Sequence, residues 1–425
     1  MKNTAIALAL LASLLSASCK KEQVTKEEKQ EAKAEGSTTV KTAIGDLTLV
    51  APFVSESVKK FSDIVDWPEG ATPKAPAGFA VTKLATGLKN PRNTYIAPNG
   101  DIFVAESNTD SSADQITILR DKDKDGTFET RAVFAEKLNQ PYGMLILKNS
   151  FYVANTDGLY QYPYKEGDMK LQGKARKIVE LPAGGYNNHW TRNLIANPDG
   201  SKIYITVGSG SNVAEHGMGN EARRADILEV NPDGTGERIY ASGLRNPVGV
   251  DWNPANKELW TAVNERDELG DELVPDYVTS VKDGGFYGWP YSYYGQIEDP
   301  RLKGQGKELV AKALVPDVPV GSHTATLGMT FYNKDAFPAQ YKNGIFAGQH
   351  GSWNRSKLSG YKVIFIPFKD GKPSGPPQDF LTGFISDEEK AKVFGRPVDV
   401  TVMNDGSLIV NDDSGNTLWK VTAAK

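Results

Sequence analysis

Short apolar or alternating segments recur along the chain, and turn-forming pairs separate many of them. Examples are DIFVAE, KIYITV, ELWTAV and SLIVND, three of which follow a PNG, PDG or NDG turn. Such segments are typical of β-strands, and Asn-Gly and Asp-Gly pairs supply the positive φ that a tight hairpin needs. The pattern therefore predicts many short antiparallel strands and little helix.

These strand pairs belong to a loose repeat. Each unit has a turn-like start, an apolar strand, a turn and a second apolar strand, and the units begin near Pro91, Pro141, Arg192, Pro247, Leu327 and Pro397. One small sheet cannot bury both faces, whereas six sheets stacked radially bury them all. The sequence predicts an all-β fold, a six-bladed β-propeller. A two-domain sandwich is the structural alternative, but it does not explain why the start motif recurs.

The N-terminal region has a different character. Lys2 precedes an apolar run, AIALALLASLL, that is too short to span a bilayer, and small residues lead to Cys19, the only cysteine. This arrangement predicts a lipoprotein-type signal peptide over 1–18 and a lipid anchor at Cys19, and an ordinary secretory signal is the alternative. We expect a disordered charged tether over 19–40, an N-terminal extension over 41–77 and the propeller over 78–425. An anchored chain would face the periplasm or the exterior of the cell envelope.

Composition and missing motifs exclude several functions. The net charge is −4 with both signs mixed, so no basic field suggests nucleic acid. The chain has no C-x-x-C-H for attached haem, no G-x-S-x-G elbow, no P-loop and no βαβ dinucleotide fingerprint. If the protein is an oxidoreductase, its redox cofactor must therefore be one that binds at the mouth of a propeller channel.

Unusual polar residues lie where the repeats begin, and in a propeller these starts converge on one mouth of the central channel. They fall in four segments, NHWTR from 188, GLRNP from 243, HGSWNR from 350 and GRP from 395. A histidine beside several arginines would combine acid/base chemistry with anion binding. Taken singly, Arg192 could instead tie down a turn, and Arg355 could be solvated.

Two acidic segments suggest hard cations. Residues 264–272, NERDELGDE, are rich in oxygen ligands of the kind calcium prefers, although an exposed acidic loop is the alternative. DKDKDGTFE at 121–129 begins like a calcium loop, but Ala132 stands where an EF-hand needs an acid. A tight acidic hairpin fits that stretch better than a peripheral calcium site.

Several motifs together resemble the PQQ-dependent soluble aldose dehydrogenase and L-sorbosone dehydrogenase family, relatives of soluble quinoprotein glucose dehydrogenase. They are GYNNHWTRNLIANPDGSKIYITVGSG, GLRNPVGVDWNP, NERDELGDELVPD, GGFYGWPY, GQHGSWNRS and GRPVDV, in order over about residues 78–424. The resemblance implies a six-bladed propeller with pyrroloquinoline quinone (PQQ) and calcium that oxidises an aldose or related sugar aldehyde to a lactone or acid. It also implies a separate electron acceptor, a cytochrome or a quinone.

The same resemblance implies roles for individual residues. His189 would be the general base and Arg245 would stabilise negative charge on the quinone; Gln140, Asn188, Asn246, Arg355 and Arg396 would join Arg245 in binding PQQ. The family binds its calcium through the carbonyls of a Gly-Pro pair, which Glu265 and Arg266 replace here. Two other functions stay open at this point, a calcium-dependent lactonase-like hydrolase and a sugar-binding propeller without catalysis.

Overall fold

The computed structural model describes residues 36–424. The predicted signal peptide, Cys19 and the tether up to residue 35 lie outside the described residues. The described part opens with a hairpin, β1 (Thr38–Thr42) and β2 (Gly45–Leu49), so the last residues of the predicted tether belong to a strand. Strand β3 (Asp63–Ile64) follows, and then β4 (Phe79–Thr86).

Six sheets with four antiparallel strands each make up most of the described chain. The first contains β5 (Pro91–Ile96), β6 (Ile102–Glu106), β7 (Gln115–Arg120) and β8 (Thr130–Ala135). The second contains β9 (Met144–Leu147), β10 (Ser150–Asn155), β11 (Gly158–Pro163) and β12 (Arg176–Glu180). The third contains β13 (Leu194–Ala196), β14 (Ile203–Val207), β15 (Asp226–Val230) and β16 (Arg238–Ser242), with β20 (Gly285–Phe286) added parallel to β16.

The other three sheets continue in the same order. The fourth contains β17 (Asn246–Trp252), β18 (Leu259–Asn264), β19 (Pro275–Ser280) and β23 (Val318–Ser322). The fifth contains β24 (Thr326–Phe331), β25 (Ile345–Gln349), β26 (Lys362–Ile366) and β29 (Gln378–Leu381). The sixth contains β32 (Pro397–Val402), β33 (Leu408–Asp412) and β34 (Thr417–Ala423), and β4 from the other end of the chain completes it.

Smaller elements connect the sheets. They are the pair β21 (Ser292–Tyr293) and β22 (Ile297–Glu298), the pair β27 (Phe368–Lys369) and β28 (Lys372–Pro373), and β30 (Ile385–Asp387) with β31 (Lys392–Val393), which pairs with β3. The described chain also has a single α-helical turn, α1 (Lys307–Val310), and 3₁₀ turns at Met218–Glu221, Pro300–Leu302 and Ala339–Tyr341. Over residues 36–424, no helix has the length and apolarity that crossing a membrane requires.

The six sheets are arranged in a ring. The first strand of each sheet contacts the first strand of the next, in the cycle β5, β9, β13, β17, β24, β32 and back to β5. A separate hydrophobic cluster fills each gap between neighbouring sheets. Because β4 pairs with β34, the two ends of the ring are joined inside one sheet. The predicted all-β propeller is confirmed.

The local predictions also match. The four apolar segments quoted at the outset form β6, β14, β18 and β33, the second strand of their sheets, and the predicted repeat starts lie at or just before the first strands. Gly100, Gly200 and Gly406, in the turns between first and second strands, all have positive φ. The sequence repeat therefore corresponds to the structural unit, one sheet per repeat.

Candidate active site

A cavity of about 560 Å³ opens at one end of the ring. First strands begin at this end and second strands finish at it, because antiparallel neighbours run in opposite directions. The loops before β13, β17 and β32 and after β18, β23 and β25 therefore converge here. Its polar lining includes Arg92, Asn188, His189, Asn212, Arg245, Asn246, Glu265, Asp267, Asp276, His323, His350 and Arg396.

His189 presents one ring nitrogen to this cavity. Its Nδ1 lies 2.8 Å from the carbonyl oxygen of Ser209, which can only accept, so Nδ1 carries the proton and Nε2 is free to accept one. Burial and the charge of Arg245 lower the pKa of His189 to about 3. Gly208 allows this arrangement, because a Cβ there would collide with His189 Cβ and Asn246 Oδ1. The imidazole is therefore neutral at physiological pH and oriented as a proton acceptor.

Arg192 holds the loop that contains His189. Its buried guanidinium donates to the carbonyl oxygens of His189 at 2.8 Å, Thr191 at 2.9 Å and Pro182 at 2.7 Å. Arg192 is not part of the cavity lining. Of the two interpretations that the sequence left open for this arginine, the structural one, tying down a turn, fits these contacts.

Arg245, Asp267 and His323 form one charged cluster in the cavity wall. Arg245 Nη2 lies 2.9 Å from Asp267 Oδ2, and His323 Nδ1 lies 3.2 Å from Asp267 Oδ1. The other ring nitrogen of His323 lies 2.9 Å from the Gly270 carbonyl oxygen. Burial opposes charge on both partners, but Arg245 and His323 hold the pKa of Asp267 low, and Asp267 raises the pKa of His323. Since both nitrogens of His323 face acceptors, the ring is an imidazolium.

Arg92, Asp413 and His350 form a second cluster, with Arg396 beside it. Asp413 pairs with Arg92 through one oxygen and lies 2.8 Å from His350 Nε2 through the other. Arg396 donates to the carbonyl oxygens of His350 and Gly351, both at 2.9 Å. Burial and the Arg396 charge lower the pKa of His350 to about 4, so this histidine is neutral. The Arg92 guanidinium also lies over the Trp190 ring, at 5.2 Å.

Glu265 offers oxygen atoms to the same cavity. Its backbone N–H donates to Asp276 Oδ1 at 2.8 Å, its Oε2 accepts from Arg266 at 2.8 Å, and its carbonyl oxygen accepts from Arg245 at 2.6 Å. Glu265 Oε1 is buried and has no hydrogen-bond partner among the described residues. Burial raises the pKa of Asp276 to about 6. This part of the wall is rich in the hard oxygen atoms that calcium prefers.

The structure brings six of the predicted site residues together and leaves three outside the cavity lining. Asn188, His189, Arg245, Asn246, Glu265 and Arg396 line it. Gln140 donates to the Asn108 carbonyl oxygen at 2.9 Å, and Arg355 donates to the Asp271 carbonyl oxygen and pairs with Glu272 at 2.8 Å.

Arg266 is the third residue outside. Its guanidinium is completely buried, pairs with Glu265 and Asp299, and donates to the carbonyl oxygens of Pro290 and Ser292. Every nitrogen of this side chain is thereby occupied in holding the loop after β18. The role in calcium binding that the family resemblance implies for Arg266 involves only its backbone carbonyl. This role stays a prediction.

Sequence reasoning did not find Arg92, His323 and Asp413, and it did not foresee a contribution from the N-terminal extension. Lys59 and Phe61 of that extension line the cavity. An inspection of all four histidines would have indicated His323. Arg92 and Asp413 meet across 321 residues, and no local motif reports such a pair.

The acidic segment at 121–129 lies away from the cavity. The carboxylate oxygens of Asp121, Asp123, Asp125 and Glu129 lie within 4.8 Å of one another. Each of them accepts backbone N–H groups of its own turn, for example Asp121 from Gly126 at 2.8 Å. These contacts match the tight acidic hairpin that the sequence favoured.

The fold and cavity are those of a β-propeller with a charged channel mouth, and the domain of unknown function DUF7133 matches residues 73–412. The chain belongs to the DUF7133 family.

Curated relatives match different shares of this chain. An uncharacterized protein of Borreliella burgdorferi is 28% identical over 365 residues, which cover 83% of this chain and 91% of that protein. Aldose sugar dehydrogenase YliI of Escherichia coli is 32% identical over 133 residues, 29% of this chain, and the match spans only 33% of its own length.

Among solved structures, the holo form of the pyranose dehydrogenase PQQ domain from Coprinopsis cinerea superposes with a TM-score of 0.68 at 19% identity. That match covers 83% of this chain and 97% of the other, and at this identity it shows a shared fold. The resemblance to PQQ-dependent sugar dehydrogenases, predicted from the motifs, is confirmed.

Proposed function

We propose that this protein is a PQQ-dependent sugar dehydrogenase that oxidises the C1 position of an aldose, or a related sugar aldehyde, to a lactone or acid. The observation that carries the proposal is His189: a neutral imidazole with its acceptor nitrogen in a cavity lined by Arg92, Arg245 and Arg396. The relatives named for aldose sugar and pyranose dehydrogenation support the substrate class.

The cavity residues fit PQQ, which carries three carboxylates. Three arginines line the cavity, and guanidinium groups are the preferred partners of carboxylates. Arg92 Nε and Asn246 Oδ1 are buried and have no hydrogen-bond partner within residues 36–424. Unsatisfied buried polar atoms cost free energy, so a polar ligand that pairs with them would stabilise the site. Arg92, Arg245, Asn246 and Arg396 are the residues proposed to hold the cofactor.

Calcium fits at Glu265. The unpaired Oε1 of this residue and the neighbouring carboxylate of Asp276 supply hard oxygen ligands. The Glu265 carbonyl, the ligand that the family resemblance implies, accepts a hydrogen bond from Arg245. Ligation through that carbonyl would require Arg245 to turn toward PQQ instead. Metal and cofactor are therefore proposed to bind together.

The chain's own residues supply proton transfer and charge stabilisation. When bound, PQQ would supply a two-electron acceptor for the hydride that leaves C1 of the sugar. His189 Nε2 takes the proton of the C1 hydroxyl group, so the sugar loses one hydride and one proton and becomes the lactone. Ser209 keeps the proton of the free imidazole on Nδ1 and so fixes Nε2 as the acceptor. Arg245, held by Asp267, stabilises negative charge that develops in the cavity.

The remaining parts of the proposal concern the surroundings of the enzyme. Electrons would leave through a separate acceptor, a cytochrome or a membrane quinone, because the sequence has no haem-attachment motif. We also propose a lipid anchor at Cys19 and a position in the cell envelope, facing the periplasm or the exterior. The apolar run before Cys19 supports both of these statements.

Reconstitution tests the function. Residues 36–425 are titrated with PQQ, with and without calcium, and dye reduction is followed with a panel of aldoses. We expect calcium-dependent saturation and turnover, and His189→Gln should keep PQQ binding while kcat falls by about 10²–10⁴-fold. His216→Gln, an exposed histidine outside the cavity lining, is the control and should stay within about twofold. A featureless PQQ titration would leave the hydrolase or binding-module alternatives.

A further inference from the structure

The segment 50–65, here called the strap, crosses the rim of the cavity without belonging to any of the six large sheets. Hydrogen bonds tie it to the loop after β18, through Phe53 N–H to the Leu269 carbonyl at 2.9 Å and Asp271 N–H to Ser55 Oγ at 2.7 Å. They also tie it to the loop after β25, through Lys60 N–H to the Trp353 carbonyl at 2.8 Å, and to strand β31, through Val65 N–H to the Val393 carbonyl at 2.8 Å. Gly270 packs so closely on the strap that a Cβ there would lie 2.9 Å from the Ser55 carbonyl oxygen. The strap is therefore a fixed part of the rim.

Phe61 is the aromatic residue that the strap brings to the cavity. Its ring stacks on Trp353 with centroids 5.8 Å apart and planes at 10°, and both side chains line the cavity. Phe61 is nevertheless 69% exposed. One ring face thus contacts Trp353, and the remainder is open. A large exposed aromatic ring in a fixed position at a cavity rim is typical of a ligand contact rather than of core packing.

The chemistry of the cavity shows what this ring can contribute. The floor is formed by arginines, histidines and carboxylates, which suit the charged groups and hydroxyls of ligands. A sugar ring also has C–H faces, which gain little from charged partners and pack well on aromatic rings. The Phe61–Trp353 pair supplies an apolar surface of this kind beside the polar floor. Binding sites commonly combine a few polar groups for orientation with aromatic walls.

We infer that Phe61, carried by the strap and supported by Trp353, is a specificity-determining residue that packs on the C–H face of the sugar substrate. The inference rests on the proposed function and deepens it, since it names the residue that contacts the ring of the sugar. The N-terminal extension is then part of the substrate site, and the propeller alone has an incomplete rim.

The test compares Phe61→Ala with wild type in protein reconstituted with PQQ and calcium, using D-glucose, D-xylose, D-galactose and maltose. We expect KM to rise by about tenfold for the best of these sugars while kcat changes by less than about twofold, because a lost contact of uniform strength affects binding and not the chemical step. Phe61→Tyr keeps the aromatic face and should restore KM. Because the ring is mostly exposed, none of these changes threatens folding.

The matched control is Phe53→Ala, which removes another exposed strap phenylalanine, 58% exposed, that does not line the cavity. It should leave KM unchanged. Equal KM values in Phe61→Ala and wild type would overturn the inference while normal PQQ saturation still supports the proposed function. Weaker PQQ saturation in Phe61→Ala would also overturn it, because the ring would then contact the cofactor. Failure of wild type to bind PQQ would overturn both.

Discussion

Two clusters in the cavity wall contain the same three residue types, an arginine, an aspartate and a histidine, but they differ in the charge of the histidine. In one, Asp267 lies between Arg245 and His323. In the other, Asp413 lies between Arg92 and His350. His323 is an imidazolium, whereas the pKa of His350 falls to about 4 and its ring is neutral. A carboxylate beside the ring therefore does not by itself decide the charge of the histidine.

The difference comes from what else surrounds each ring. His323 has a second acceptor, the Gly270 carbonyl oxygen, and the carboxylate of Asp276 acts on it as well. His350 has the guanidinium groups of Arg396 and Arg92 nearby, and both disfavour a positive charge on the His350 ring. The second wall therefore places two arginines near its histidine, whereas the first places two carboxylates, Asp267 and Asp276, near its histidine.

Breaking the second cluster should have the largest effect on stability. Asp413→Asn removes the only carboxylate that pairs with Arg92 within residues 36–424, and it leaves the buried Arg92 near the half-buried Arg396. A buried cation that loses its partner costs about 3–5 kcal/mol in the free energy of unfolding. Urea denaturation of the cofactor-free protein measures this.

The control for that experiment is a surface pair. Asp379→Asn breaks the ion pair with Lys362, whose aspartate is 59% exposed, and should cost less than about 1 kcal/mol. If the two substitutions destabilise equally, the Arg92–Asp413 pair behaves as a solvated ion pair, and the wall is more open to water than these contacts indicate.

The two histidines should respond to pH with opposite signs. At pH 6, His323→Gln should lower the free energy of unfolding by about 1–3 kcal/mol, because it removes a charged donor to Asp267. The pKa of His323 is raised in the folded state, so its stabilisation is present at low pH and is lost as pH rises through that pKa. The cost of His323→Gln should therefore shrink as the pH rises from 6 through that raised pKa.

His350→Gln provides the contrast. The folded pKa of about 4 lies below the usual 6.5, so below pH 6.5 the unfolded chain binds the proton first and wild type loses stability. The cost of His350→Gln should therefore shrink on acidification, by about 1.4 kcal/mol for each pH unit between 6.5 and the folded pKa of about 4. Urea denaturation of wild type and both variants at several pH values measures how the cost of each substitution changes with pH. Changes of the same sign would contradict the opposite charge states assigned to His323 and His350.

The residues of these clusters show which features the sequence predicts and which it does not. The strands, their turns and the positions of the first strands follow from local patterns, because period-two apolar runs and Asp-Gly pairs act over a few residues. His189 and Arg245 stand in local motifs and could be found. Arg92 and Asp413 come from opposite ends of the propeller chain and are neighbours only because the ring closes, with β4 inside the sixth sheet and β5 packed against that sheet.

Gln140 and Arg355 illustrate the opposite limit. Both lie near a first or second strand, where the repeat directs side chains toward the channel mouth, and yet both contact a rim loop of the preceding sheet instead. Arg355 does so because Glu272, 83 residues earlier, offers a carboxylate at 2.8 Å. A motif gives the position of the backbone, and the partner that a long side chain selects depends on loops from other repeats.

The last prediction concerns charge alone and leaves fold and stability unchanged. In the cofactor-free protein labelled with ¹⁵N-histidine, we expect His189 and His350 to show neutral-ring spectra from pH 7 down to pH 5, since their pKa values are about 3 and 4. His323 should show two protonated nitrogens at pH 5 and keep both protons to higher pH than a free histidine does, because its pKa is raised. His→Gln variants assign the signals. A titration of His189 near pH 6.5 would mean that burial and Arg245 do not hold it neutral. The proton acceptor that the dehydrogenase mechanism requires would then be lost in mildly acidic solution.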